Sequence, residues 1–147
     1  MQRTPRSHAF TLVEILIVVV ILGILAAIVL PQFTDAATTT RATSNDALLH
    51  TLRKQLMLYR IEHHDQAPAL AGLWGVLTDT TDVEGTVVAG GDFGPYLVRE
   101  PVNAFTGSST VVAPGAATAD EGWVYDENTG EISAVGYNEA TKVFTAP

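Results

Sequence analysis

The 147-residue chain carries eight Lys and Arg against sixteen Asp and Glu, which gives a net charge of −8 at pH 7. This acidic balance argues against DNA or RNA as a partner, because nucleic-acid binding depends on Lys and Arg that neutralise phosphates. The chain contains no cysteine, which excludes disulfides, cysteine-type zinc sites and thiol nucleophiles.

A short basic segment, residues 1–9 with Arg3 and Arg6, precedes a long apolar stretch. No residue from Ile15 to Thr34 carries a charge. About twenty helical residues cover roughly 30 Å, the thickness of the hydrocarbon core of a bilayer. The stretch therefore predicts a membrane-spanning helix, and the basic flank predicts that the remainder of the chain lies outside the cytoplasm.

An acidic residue, Glu14, stands at the beginning of this apolar stretch. An ionised carboxylate near the end of a span costs up to a few kcal/mol unless it is paired, protonated or close to the headgroups. Glu14 therefore either pairs with a cation or extends toward the headgroups. The small residue Ala9 precedes the apolar stretch instead of following it as in a secretory signal, so cleavage there would leave the span attached.

The residues around this point resemble the prepilin processing motif of type IV pilins and type II secretion pseudopilins. The motif consists of a basic leader, an uncut span and, between them, Ala9-Phe10-Thr11-Leu12-Val13-Glu14. The resemblance implies that a prepilin peptidase removes residues 1–9 and methylates the new amine of Phe10. Ala9 departs from the Gly that the family usually has, but it keeps a small residue there. Residues 10–33 would then form the transmembrane and filament-core helix.

The same resemblance gives Glu14 and the span a role in assembly. The Phe10 amine of an adjoining subunit would supply the cation that Glu14 requires in apolar surroundings and would set the register between subunits. Pro31 removes a helical hydrogen bond, so we expect the helix to bend or loosen between Gly23 and Pro31. In the family the corresponding segment can unwind when subunits enter a filament; an ordinary proline kink is the alternative.

Beyond Pro31 the helical pattern resumes and predicts an amphipathic helix over residues 34–64. Its apolar stripe recurs at three- and four-residue spacing and should pack on a sheet; it consists of Leu48, Leu49, Leu52, Leu56 and Tyr59. His63-His64-Asp65 predicts a polar helix end. Adjacent helical positions point about 100° apart, so the two imidazoles do not readily converge on a metal.

Residues 65–147 read as a loop-rich sheet region that completes a head over residues 34–147. Residues 70–77 predict either a short helix or an irregular lobe around Trp74. Strand candidates rich in β-forming residues are Val87-Val88, Thr110-Val111-Val112, Trp123-Val124-Tyr125 and Ile132-Ser133-Ala134. The last two predict a hairpin closed by Gly130. The fold class is therefore α+β, a long N-terminal helix packed on a small antiparallel sheet, and pilin-like by resemblance.

The hairpin also holds the candidates for a metal site. Some pseudopilins bind calcium in a C-terminal loop, and Asp126, Asn128 and Glu131 are oxygen donors in this region. Turn chemistry accounts for the same residue types. We therefore expect no cofactor, with calcium as the alternative.

The sequence predicts a structural protein and no enzyme, because it contains no nucleophile elbow, phosphate-binding loop or His-Glu-x-x-His helix. The resemblance implies a subunit of a type II secretion pseudopilus, held by one span in the bacterial inner membrane with its head in the periplasm. Its partners would be copies of itself, prepilin peptidase, other pseudopilins and the inner-membrane assembly platform. The alternatives are a type IV pilin for adhesion, motility or DNA uptake, and a membrane-anchored periplasmic binding module.

Overall fold

The computed structural model describes residues 10–144, without the side chains of residues 30–35 and 143–144. Ala9, the residue expected before the cleavage point, lies outside the described residues. The chain divides into two compact units between Ala37 and Thr38.

One helix, α1, runs from Leu12 to Glu62 over 51 residues. Its backbone stays helical from Gly23 to Pro31, so this segment is not unwound in the single subunit, and unwinding on assembly stays a prediction. The helix ends where His64 and Asp65 adopt left-handed φ angles of 54° and 61°. The Asp65 amide donates to the Arg60 carbonyl at 2.8 Å, which satisfies one of the last helical acceptors.

The predicted short helix is present as α2, Leu73–Thr78. Leu73, Trp74 and Leu77 are buried, and the Trp74 indole Nε1 donates to the Ser109 carbonyl at 2.6 Å. A buried indole is stable only when its N–H has an acceptor, so this bond fixes α2 to the loop that precedes the sheet.

The main sheet has three strands in the order β1-β2-β3, with bounds Val111–Val112, Trp123–Asp126 and Glu131–Ala134. β2 and β3 are antiparallel, whereas β1 and β2 are parallel, so the expectation of an antiparallel sheet is wrong for this pair. The connection 113–122 is too long for a tight hairpin. It returns the chain to the end of the sheet at which β1 began, so β2 can run in the same direction as β1.

Two further differences concern the short strands. β4 and β5, Tyr137–Asn138 and Val143–Phe144, form a two-stranded antiparallel sheet that the sequence did not predict. Val87-Val88 is not a strand, because Val87 makes only an isolated bridge to Thr81. Val87 is exposed, so the pairing lacks the buried face that stabilises a strand.

The predicted hairpin is confirmed in β2 and β3. Trp123 and Tyr125 both point inward and are fully buried, as the period of two requires. Gly130 has φ 75°, a conformation that costs other residues energy, and its amide donates to the Asp126 carbonyl at 2.8 Å.

The core lies between α1, α2 and the inward side of β2 and β3, which confirms the α+β class. The helix stripe is buried as predicted from Leu49 onward, while Leu48 is only partly buried. The large buried side chains are Leu49, Leu52, Leu56, Tyr59, Leu73, Trp74, Leu77, Tyr96, Trp123, Tyr125, Ile132 and Tyr137.

Candidate functional site

The first half of α1 presents apolar surface on which none of the described residues packs. Leu12–Val29 is an 18-residue candidate span with a mean hydropathy of 3.2, and none of it is buried. A core helix of a soluble protein has the same composition but is mostly covered. Burial of apolar surface is the main favourable contribution to the free energy of folding and association. The first half of α1 obtains none of it in the single subunit, so it requires lipid or other subunits around it.

Thr11 and Glu14 form a capping box at the start of α1. The Glu14 amide donates to Thr11 Oγ1 at 3.2 Å, and the Glu14 carboxylate accepts from the Thr11 amide and the Thr11 hydroxyl, both at 3.0 Å. Two helix-end donors without intrahelical partners are satisfied in this way. The sequence contained the pattern Thr-x-x-Glu, which indicates this motif, but Thr11 was not among the predicted site residues.

The capping box gives Glu14 neutral partners and no counter-charge. Glu14 takes part in no ion pair within residues 10–144. Neutral donors satisfy the lone pairs of a carboxylate, whereas a charge in apolar surroundings also needs a cation. The single subunit therefore leaves Glu14 available to a cation from outside this part of the chain.

Phe10 lies before the first helical residue and its side chain is 80% exposed. A peptide bond must be extended and accessible to enter a peptidase, so a position just outside the helix suits a cleavage point. Cleavage before Phe10 and methylation there stay predictions.

The two residues expected to loosen the span have different surroundings. A Cβ atom added at Gly23 would meet no atom within 4 Å, so no contact within the subunit requires glycine there. The Pro31 side chain is outside the described residues. A glycine in the middle of a helix costs about 1 kcal/mol relative to alanine, and its presence at Gly23 without a local need is consistent with a role in assembly.

Two of the three calcium candidates, Asp126 and Asn128, are joined by hydrogen bonds of the turn. At the third, Glu131, the backbone amide donates to Thr129 Oγ1 at 3.3 Å. Asp126 Oδ1 accepts from the Asn128 amide at 2.9 Å and from Asn128 Nδ2 at 3.1 Å, and these bonds hold the pKa of Asp126 below its usual value. Calcium takes six to eight oxygen ligands, and no cluster of three or more acidic or His side chains suited to a metal occurs in residues 10–144. The observed bonds are those of turn chemistry; calcium binding stays the alternative to the expectation of no cofactor, and neither is tested by these bonds.

His63 differs from the expected polar helix end. It is buried, its Nδ1 lies 2.8 Å from the Tyr59 carbonyl and its Nε2 lies 3.0 Å from Thr81 Oγ1. Its ring also stacks on Tyr59 with centroids 3.8 Å apart. His64 and Asp65 are exposed. His63 is buried because helical geometry places it one turn beyond Tyr59 on the core side of α1.

Comparison with known proteins agrees with the processing motif. Residues 4–30 match the prokaryotic N-terminal methylation motif. The type II secretion system core protein G of Pseudomonas aeruginosa is 31% identical over 115 residues, 78% of this chain and 79% of that protein. Its Escherichia coli counterpart of the same name is 27% identical over 118 residues, 78% of each chain.

A third relative comes from a different system. The competence protein ComGC of Bacillus subtilis is 36% identical over 67 residues, 46% of this chain and 68% of that protein. No solved structure matches the chain. The chain therefore belongs to the family of the type II secretion system core protein G, the major pseudopilins among the type IV pilin-like proteins.

Proposed function

We propose that this chain is a structural subunit of a type II secretion pseudopilus. Prepilin peptidase removes residues 1–9, the span holds the processed subunit in the inner membrane with its head in the periplasm, and the subunits then assemble by packing α1 against α1. The similarity to core protein G over 79% of the length of that protein supports this reading. The partners are copies of the chain, other pseudopilins and the inner-membrane assembly platform.

The single observation that carries the proposal is the uncovered apolar half of α1 with a carboxylate at its beginning. The described span is 0% buried, and Glu14 has hydrogen-bond donors but no cationic partner among residues 10–144. A methylated amine at Phe10 of an adjoining subunit has the charge that Glu14 lacks. Pairing the two inside an apolar filament core would set the register, because either charge left alone there is costly.

The second candidate is a type IV pilin or a competence filament. The similarity to ComGC favours it over a binding module, but that match covers 46% of this chain, against 78% for core protein G. Both candidates share cleavage and helix packing. They differ in the filament, because a type IV pilin should build long surface fibres.

Electron microscopy with antibody labelling tests the proposal in cells that express the full chain with its secretion machinery. We expect labelled filaments when the chain is overproduced, and loss of secreted proteins when it is deleted. Long surface filaments at normal expression with secretion unchanged would favour the pilin alternative. A cleaved chain that never enters a filament would favour a membrane-anchored module.

A further inference from the structure

The solvent side of α1 in the head is apolar and basic. We call Lys54, Met57, Leu58 and Ile61 the outward face; their three- and four-residue spacing places them on one side of the helix, opposite the buried stripe. Met57 is 66% exposed and Ile61 is 70% exposed. An amphipathic helix of a soluble domain normally has polar residues on this side, so these apolar side chains indicate a contact surface.

The charged residues of the α1 segment that carries the outward face are all basic. Residues 47–61 contain no carboxylate but include Arg53, Lys54 and Arg60. Arg53 is paired with Glu139, and Arg60 with Asp65. Lys54 joins no ion pair within the described part of the chain. The outward face therefore combines exposed apolar area with an uncompensated cation.

A second surface of the head carries negative charge instead of positive charge. Residues 79–92, which we call the acidic loop, contain four carboxylates and no basic residue. Asp79, Glu84 and Asp92 are exposed and form no ion pair among the residues that the structure places. Val87, between them, is 46% exposed. The acidic loop therefore offers free carboxylates beside an exposed apolar side chain, the complement of the outward face.

The acidic loop is also held in one conformation. The Thr81 amide donates to the Phe93 carbonyl at 3.0 Å, and the Phe93 amide returns a bond to the Thr81 carbonyl at 3.2 Å. Thr80 Oγ1 donates to the Val88 carbonyl at 2.6 Å. A loop ordered before it binds loses less conformational entropy on docking, so this loop can act as a contact surface.

We propose that the outward face of one subunit docks on the acidic loop of a second copy of this chain. The inference rests on the proposed function, because only an assembling subunit meets further copies in a fixed arrangement. Two different surfaces of one subunit form a heterologous contact, which continues into an open helical array instead of closing into a dimer.

The overall charge gives a second reason for this pairing. Without residues 1–9 the chain keeps six basic residues against sixteen acidic ones. Copies of such a chain repel one another, and a stable contact must therefore bring a cation of one copy to a carboxylate of the next. Lys54 and Glu84 provide such a cation and carboxylate, because both are exposed and neither forms an ion pair among the described residues.

Cysteine cross-linking tests the contact, since the chain has no cysteine of its own. The full chain with Lys54→Cys and Glu84→Cys is oxidised in cells that process and assemble it, and then separated under denaturing, non-reducing conditions. We expect a ladder of dimers, trimers and longer species, because each subunit supplies both cysteines. The matched pair Lys54→Cys with Asp120→Cys, in which the second cysteine is in another exposed acidic segment, should give no ladder.

Charge exchange provides the second measurement. Lys54→Glu should reduce filament yield at least about tenfold by placing like charges together, whereas Lys54→Arg should not. Lys54→Glu combined with Glu84→Lys should restore the yield, and the melting temperature of each variant should equal that of the parent because both residues are exposed. Normal filaments without a ladder, or a ladder from the Asp120 pair, would overturn the docking and leave the proposed function standing. A parent chain that forms no filaments would overturn both.

Discussion

Asn45 of α1 donates from Nδ2 to Oδ1 of Asn103 at 2.8 Å, although 58 positions separate the two residues. Both are fully buried. Asn45 Oδ1 accepts from the Ala104 amide at 2.8 Å, and Asn103 Nδ2 donates to the Gly122 carbonyl at 2.7 Å and to the Val135 carbonyl at 2.9 Å. This buried network joins the helix, the 101–107 loop and the two strands of the hairpin at its open end.

Replacing Asn103 by Ala should destabilise the head by at least about 3 kcal/mol, because it leaves several buried donors and acceptors without partners. Denaturant unfolding followed by circular dichroism measures this loss. Asn128→Ala is the matched control: Asn128 is exposed, and its replacement should cost about 1 kcal/mol or less. Similar losses for both variants would mean that the buried network does not hold the head together.

The head should fold without its span. Residues 34–147 contain every buried core residue from Ala42 to Tyr137, and we therefore expect this fragment to be a soluble monomer with a cooperative melt. Size-exclusion chromatography and calorimetry check this expectation. An aggregated fragment, or one without a melting transition, would show that the core depends on the first half of α1.

Within that fragment, Leu56→Asp should cost roughly 4 kcal/mol or more, because it puts an unpaired charge into the core. Leu56 is 2% exposed, whereas Ile61 on the same helix is 70% exposed. Ile61→Asp should therefore change the free energy of unfolding by no more than about 1 kcal/mol. The stripe does not face a core if the two variants melt alike.

Two ion pairs should make the head less stable in acid. Arg53 binds Glu139 through two hydrogen bonds of 2.8 and 2.6 Å, and these bonds hold the pKa of Glu139 below its usual value. The hydrogen bond from Lys142 likewise lowers the pKa of Asp46. A carboxylate whose pKa is lower in the folded state than in the unfolded state stabilises the fold at every pH above its unfolded-state pKa of about 4. This stabilisation is lost as the pH falls from there through the folded-state pKa.

The melting temperature should thus fall as the pH is lowered from about 6 toward about 3, the range in which the carboxylates titrate. Glu139→Gln removes one of the two titrating pairs, so its melting temperature should be lower near neutral pH and should converge with that of the parent in acid. Parallel curves for the two proteins would mean that the pair with Arg53 contributes nothing to stability.

Glu14→Gln should separate assembly from processing. The amide keeps the size of the side chain and lowers the cost of inserting it into lipid, so the variant should reach the membrane and lose residues 1–9 at least as well as the parent. It lacks the charge that would pair with the Phe10 amine of an adjoining subunit. We expect cleaved subunit to accumulate in the membrane while filaments are sparse or absent; a variant that assembles normally would place Glu14 among residues that only extend to the headgroups.

Periodicity predicted the parts of the fold that present a long apolar pattern. The helix stripe through Leu52 and Leu56 and the hairpin around Trp123 both follow from spacing of three to four or of two. The pairing of β1 with β2 and the β4–β5 hairpin did not follow, because two-residue strands carry almost no pattern. Asn103 reads as a loop residue in sequence, and only its long-range partners reveal that it is buried.

The sequence predicted part of the candidate site, as it predicted part of the fold. Phe10 and Glu14 were predicted because the processing motif is local in the chain. Thr11 lies three residues before Glu14, the spacing of a capping box, so its role can be read from the sequence. The outward face around Ile61 could not be found from composition, since only the packed structure shows which apolar residues remain uncovered.

The mass of the N-terminal peptide tests the central claim most directly, since a filament subunit of this family must first be cut before its span. The protein is extracted from the membrane of cells that contain prepilin peptidase, digested and analysed by mass spectrometry. The account predicts a peptide that begins at Phe10 with a methylated amine and retains the apolar stretch. A chain that still begins at Met1, or one cut after Val29, would contradict it.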